Sequence, residues 1–350
     1  MFYFFKLYLK KLIAMLIKIL KAGNGDSILL QLDNTFNILI DGGNNINDYK
    51  HNLKQEILEI QKRKEFIDLL IITHIDQDHI KGIEYLLKDE EISRDIIKNL
   101  WFNSFSSTTA INNDISFDEA LRVESIINSL NISINRQITL EQTPKISLFG
   151  INFSILSPYR EDLEKLIVKN IDISSSSSDY KLSLKEILDK NPRIFADKIE
   201  DLDTSVENKS SIAFLLEYKS KKILFLGDAE STVTHKSLEK ILNERGLDEL
   251  NIDYLKLSHH GSHKSLSMNL FNYIKCNNFI ISTNGKKENL PNKLTFAKIL
   301  TRINKEDTKD NFYFNYSSVL KDLNFLKDEK EKFKFECYSE NFEHGYKIEL

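Results

Sequence analysis

Four residues of metal-ligand type fall within six positions of this chain: His74, Asp76, Asp78 and His79, in the string Thr73-His74-Ile75-Asp76-Gln77-Asp78-His79. Neutral imidazole and carboxylate together are the donors taken by borderline and first-row divalent metals. Residues two apart in an extended stretch point the same way, so His74 and Asp76 suit one ion. Asp78 and His79 are adjacent and point apart, which suits a second ion close by. Asp and His are also common in solvated loops, but four packed this tightly argue for a site. The apolar run Phe66-Ile67-Asp68-Leu69-Leu70-Ile71-Ile72 just upstream suits a buried strand. Downstream, Gly82, Ile83, Leu86 and Leu87 look like the start of a helix. The ligand-type residues therefore leave a strand end in a tight loop, where a rigid sheet can hold a metal site.

Other strand-like runs end in the same kind of residue. Strands are expected at 16–20, 28–32 and 36–40, with the turn 21–27 (KAGNGDS) after the first and Asp41-Gly42-Gly43-Asn44 after the third. Helical spacing covers 47–65. Weaker signals place a strand at 100–102 ending at Asn103, helices over 117–130 and 160–169, and two short strands within 146–156 around Gly150-Ile151. Residues 171–207 are polar and serine-rich at 174–178; they read as an insertion or mobile loop with a helix near 182–190. Strands at 211–216 and 223–226 follow, the second stopped by Gly227-Asp228-Ala229-Glu230, with a helix over 231–245. A strand at 254–257 leads into Ser258-His259-His260-Gly261-Ser262-His263, and one at 279–282 into Thr283-Asn284-Gly285. Strands first, then strand and helix in alternation, indicate a layered α/β domain. Loops at one end of a sheet converge, which brings Asp228 and His259/His260 to the first cluster.

The 350 residues are 41% hydrophobic and 29% charged, the composition of a globular chain with one large core or two modest ones. A net charge of −4 leaves no global electrostatic footprint for nucleic acid. Cys276 and Cys337 are far apart; they argue against a disulfide framework or a Cys-based zinc knuckle and fit the cytoplasm. Residues 1–20 are apolar but interrupted by Lys6, Lys10, Lys11 and Lys18, too charged for a spanning helix and unlike a signal peptide. A surface-lying amphipathic helix is one option there; a lead-in over 1–14, with Met15 opening the domain, is preferred. With neither a G-x-S-x-G string nor a glycine-rich phosphate loop, the expected nucleophile is water.

In order along the chain stand GNGDSILLQL, ILIDGG, ITHIDQDHIKGI, N-K-S-S before FLL, ILFLGDAE, LKLSHHGSHKS and ISTNG. Together these strings resemble the metallo-β-lactamase-fold hydrolases over roughly residues 15–300. More narrowly they are similar to the hydrolase-like domain of the ComEC competence proteins and to phosphorylcholine esterases. The resemblance implies a four-layer αββα sandwich, here with a polar insertion at about 159–207 and an extension over 301–350 that completes or decorates it. It implies two divalent ions, zinc foremost, with manganese or iron also compatible. His74 and Asp76 match ligands of one ion, Asp78 and His79 those of the other, and Asp228 the carboxylate shared by both. One histidine of HHGS matches the last ligand. His260 is taken as that ligand and His259 as the substrate or transition-state contact, with the reverse order open. Asp76, Asp78 and His259 are the expected catalytic residues, and Asn208 and Ser211 match a motif near the substrate.

The resemblance has two departures. No histidine lies between His79 and His235, so Asn103 or a water is expected where family members place a further ligand of the first ion. Leu290 stands before Pro291 where members often carry histidine. Asp41 is expected either to cap its turn or to orient a ligand histidine. His263 reads as a solvated helix-start residue, His51, His235 and His344 as surface residues, and Lys264 as a solvated loop lysine, with contact to a phosphate the other option. The expected activity is hydrolysis of a phosphodiester, nucleic acid included, by a metal-activated water. The alternative is a catalytically weak or inactive subunit that binds a ligand or a partner protein. Substrate and oligomeric state are not legible at this stage.

Overall fold

A computed structural model describes residues 14–33, 35–103, 115–130, 132–166, 178–191, 202, 205–303, 305 and 307–350. The expected lead-in, the serine run at 174–177 and most of 192–204 lie outside the described residues. Two sheets form the centre. Edge to edge, the first runs Gly345–Glu349, Met15–Leu20, Ile28–Leu32, Phe36–Ile40, Leu69–Ile72, Asn99–Phe102 and Ser133–Asn135. The second runs Phe335–Ser339, Asp310–Phe314, Asn278–Ile281, Tyr254–Lys256, Lys221–Phe225, Ala213–Tyr218, Ile151–Ser157 and Lys145–Leu148. Helices cover both outer faces, giving a four-layer αββα sandwich.

The strand before the ligand string shows why its sequence lacks polar alternation. Leu69 and Ile71 face Phe214, Phe225 and Ile280 of the opposite sheet. Leu70 and Ile72 face Leu53, Ile57, Ile80 and Ile83 of the covering helices. Both faces are buried, so every position is apolar. On the far side Leu215, Leu224, Phe279 and Phe312 pack against Leu238, Ile241, Phe296 and Ile299. Among the described residues no helix is long and apolar enough to cross a membrane.

Three expectations change in detail. The helix after the ligand string is Gln77–Lys88, not one opening near Gly82. The Asp76 carbonyl already accepts from His79 N (2.9 Å) and Ile80 N (3.1 Å), so half of the string lies in a first helical turn. Within the polar stretch the helix expected near 182–190 is Leu184–Lys190, and the segment before it docks: Asp179 accepts from Lys293 N and Leu294 N (2.8 and 2.9 Å), capping the helix Lys293–Leu300. Near the end, the alternation Phe333-Lys334-Phe335 suits an edge strand, but Phe333 closes the helix Lys327–Phe333 and only Phe335 of the three belongs to a strand, the edge strand of the second sheet.

Parallel pairing aligns the strand ends that matter. Phe36–Ile40, Leu69–Ile72 and Asn99–Phe102 are parallel neighbours. So are Lys221–Phe225, Tyr254–Lys256, Asn278–Ile281 and Asp310–Phe314. Their carboxyl ends face one edge of the sandwich, where hydrogen bonds stitch the sheets together. Ile212 N donates to Thr73 O (2.8 Å), Asn284 N to Gly23 O (2.9 Å) and Asn315 Nδ2 to Leu20 O (2.8 Å).

Candidate metal centre

At that edge Asp228 Oδ2 is ringed by imidazoles: His79 Nε2 at 3.4 Å, His260 Nε2 at 3.8 Å, and His74 Nε2 and His259 Nε2 at 3.9 Å. Asp78 Oδ2 lies 3.6 Å from His260 Nε2, and Asp76 Oδ2 lies 3.7 Å from His74 Nε2. All six expected ligands are thus brought together. His74, Asp78, His79, Asp228 and His260 are buried, and only Asp76 is partly open to solvent.

The outer partners of the rings decide which nitrogen faces inward. Thr73 Oγ1 donates to Asp41 Oδ2 (2.7 Å) and so accepts from His74 Nδ1 (3.0 Å). His79 Nδ1 donates to Asp41 Oδ2 (2.8 Å), and His260 Nδ1 donates to the Ser282 carbonyl (2.9 Å). Each of these rings keeps its hydrogen on Nδ1 and turns an Nε2 lone pair inward. All three Nε2 atoms, with Asp228 Oδ1, are buried without a hydrogen-bond partner. Buried polar groups are rarely left so. Lone pairs orphaned on one spot, behind rings anchored by carboxylate, hydroxyl and carbonyl, are the donor set of a divalent cation, so the residues fit the metal that their types imply. Asp41, which accepts from both Thr73 and His79, holds φ 56° in the left-handed region.

Electrostatics point the same way. Burial disfavours charge on Asp78 and Asp228, yet the neighbouring histidines, and Lys287 beside Asp78, hold both carboxyls well below their usual range. Burial would strip the His79 ring of its proton, but Asp228 and Asp41 prevail and hold its pKa well above the ordinary value. Against the same burial, Asp228, Asp26 and Asp78 push His260 up to about 9.

His259 is set the other way round. Asn208 Nδ2 donates to its Nδ1 at 3.2 Å, so its hydrogen resides on Nε2 and faces the cleft. His259 and His260 both hold left-handed backbone (φ 45° and 55°), which costs about 1–2 kcal/mol for each non-glycine residue. The turn is held by His259 N donating to Gly227 O (3.0 Å) and Thr295 Oγ1 to Gly261 O (2.6 Å). Strain stored this way accompanies functional positions.

Asn208 donates to His259, and Ser211 Oγ accepts from Asp228 N (3.0 Å). Several other residues stand elsewhere than expected. Asn103 does not replace the absent histidine: its amide donates to Ile138 O (2.8 Å) and accepts from Ile138 N (2.9 Å), which ties both ends to backbone. His263 is half-buried, with its ring nitrogen 2.8 Å from Asn292 Oδ1. His51 is exposed, whereas His235 stacks on Tyr273 and His344 meets Phe342. A lysine not singled out from the sequence, Lys287, lies 3.4 Å from Asp78 Oδ2. It lines a cleft over the cluster with Asn24, His259, Thr283, Glu288 and Leu290. Sequence reasoning also passed over Asp26, whose carboxylate lies 3.4 Å from His260 Nδ1. Its one signal is that Gly25-Asp26 repeats the dipeptide Gly227-Asp228.

The family model of the metallo-beta-lactamase superfamily matches residues 20–107. No curated protein matches the sequence. Among solved structures, the Bacillus subtilis metallo-beta-lactamase fold protein YhfI is 10% identical, covers 96% of this chain and 99% of its own, and has a TM-score of 0.42. A diphosphatase of the PhnP family is 14% identical, with 96% and 98% covered and a TM-score of 0.39. CmlA, a diiron β-hydroxylase from Streptomyces venezuelae, is 9% identical with a TM-score of 0.42; 96% of this chain is covered, but it spans only 54% of CmlA.

Proposed function

We propose, for a chain that belongs to the metallo-beta-lactamase superfamily of metal-dependent hydrolases, that it hydrolyses phosphodiesters, nucleic acid among them, with a metal-activated water. The observation that carries this reading is the convergence of orphaned atoms: Nε2 of His74, His79 and His260 with Oδ1 of Asp228. His74 and Asp76 would hold one ion and Asp78, His79 and His260 the other, with Asp228 available to either. Zinc suits these donors, as do manganese and iron.

Bound divalent ions lower the pKa of a water and polarise the bond under attack. The chain supplies the rest. Asp41, Thr73 and the Ser282 carbonyl fix the rings. His259 presents its Nε2 hydrogen to charge developing on the leaving oxygen. Lys287 offers a cation at the cleft mouth, which suits an anionic ester. The narrower resemblance to ComEC-type domains and phosphorylcholine esterases supports the phosphodiester class. Residues 15–300 form the catalytic domain of this proposal, 301–350 its extension, and the cytoplasm its location.

One observation favours the second reading, a weak or inactive binding subunit. With Asn103 tied to Ile138, the first ion has His74, Asp76 and Asp228 alone among the described candidate ligands. Hydrolysis of bis(p-nitrophenyl) phosphate by the wild type and by Asp76→Ala separates the two. The proposal expects metal-dependent turnover, lowered at least about 100-fold by the substitution, since loss of even an outer partner costs about 10–100-fold. Metal-loaded wild type without turnover on any phosphodiester supports the binding subunit instead.

A further inference from the structure

Behind the centre lies an ion pair that the chemistry above leaves unused. Asp26 and Lys256 are 2% and 1% exposed, and the Lys256 ammonium meets Asp26 Oδ2 directly. Asp26 belongs to the 21–27 turn, and Lys256 ends the strand Tyr254–Lys256, four positions before His260. A buried ammonium is costly unless a counter-charge meets it, and Asp26 supplies that charge. For stability alone such a pair is commonly replaceable by apolar side chains of similar volume. Its location gives it another use. Asp26 Oδ1 has no hydrogen-bond partner and lies 3.4 Å from His260 Nδ1, on the side of the ring that donates to the Ser282 carbonyl. Asp26, His79, Asp228 and His260 each offer a ligand atom within 4.8 Å of the others, so Asp26 is itself within reach of the ligand set. Gly25 presses the same turn onto the string: a Cβ there would fall 1.5 Å from Asp78 O.

We propose that the Asp26–Lys256 pair is a positioning device for His260. Asp26, with the Ser282 carbonyl, holds the ring so that Nε2 faces Asp78 and Asp228. Lys256 occupies the other carboxylate oxygen, cancels its charge and keeps Asp26 out of the ligand shell. The inference rests on the reading of the site as a two-ion metal centre.

Zinc titration by calorimetry of the full chain and of the double variant Asp26→Asn/Lys256→Met tests it. Removing both buried charges together spares the fold the lone charge that a single substitution would leave. The wild type is expected to bind two equivalents. The double variant should bind one with unchanged affinity and the other about 10–100-fold more weakly, the usual cost of losing an outer partner. Lys256→Met alone frees the carboxylate, and the visible absorption of bound cobalt(II) should change as Asp26 enters the shell. Both equivalents held as tightly by the double variant as by the wild type would overturn the inference. So would equal weakening of both together with a lowered melting temperature, which is the mark of a merely structural pair. A wild type that binds no zinc would bring down the metal-centre reading and this inference with it, an outcome distinct from an insensitive variant of a two-zinc protein.

Discussion

Asp228 receives four imidazoles, and two of them come from consecutive residues with opposite tautomers. A backbone carbonyl only accepts, so Ser282 keeps the hydrogen of His260 on Nδ1. An amide nitrogen donates, so Asn208 keeps that of His259 on Nε2. One ring is left a ligand and its neighbour a donor. His259→Gln should therefore bind metal as the wild type does and lower kcat by about 10²–10⁴-fold, the range for a lost acid–base group; steady-state kinetics beside metal analysis will show it. A lost metal equivalent would instead exchange the roles of the two histidines. The ligand types were legible because donor chemistry is carried by residue identity. The tautomers were not, because they depend on partners 51 and 22 positions away. Asp26, Lys256 and Lys287 escaped notice because a lone Asp in a turn or a lone Lys in a strand or loop has no spacing to distinguish it.

At the scale of elements, the helix Gln77–Lys88 presents half of the ligand string, and a backbone crossing seats it. Gly42 N donates to His79 O (2.8 Å) and Gly82 N to Gly43 O (2.7 Å), with a Cβ at Gly82 falling 1.8 Å from Gly42 O. Gly82→Ala must push the helix off Asp41 and its loop. A cost of about 3 kcal/mol is expected, the upper end for overpacking, in the denaturant midpoint, with weakened metal binding in the same protein; an unchanged midpoint would refute the crossing. The same helix is tied to Ile115–Asn128 through Glu84, which meets Lys81 (2.8 Å), Lys88 (2.6 Å) and Arg122 (3.0 Å). Burial works against the Glu84 charge, but these cations hold its pKa down to about 2. A depressed carboxylate contributes stability above its unfolded value of about 4.3 and loses it as pH falls towards 2. Glu84→Gln should cost about 1 kcal/mol at pH 6 and clearly less at pH 3, read from urea midpoints at both. The strands were legible from apolar runs and their polar stops. The helix start was hidden because its first turn carries Asp78 and His79 in place of the apolar stripe that marks a helix.

At the scale of the molecule, parallel strands from two sheets deliver their carboxyl ends to one edge, and charge sets what that edge can hold. Asp26, Asp41, Asp76, Asp78 and Asp228 gather there against Lys256 and Lys287, so carboxylates outnumber ammonium groups five to two. Divalent cations would offset that excess, most of which is buried. The sandwich itself was legible from the order of motifs along the chain, since each string closes a strand whose neighbours follow from parallel pairing. The convergence on Asp228 and the charge balance were not, because they depend on how the two sheets meet. The decisive measurement is the metal content of purified protein by elemental analysis after exhaustive dialysis. Two equivalents of divalent metal per chain are predicted, in keeping with the two sets of ligands that share Asp228. One equivalent or none would contradict the two-ion centre and turn attention to the cleft as a binding surface.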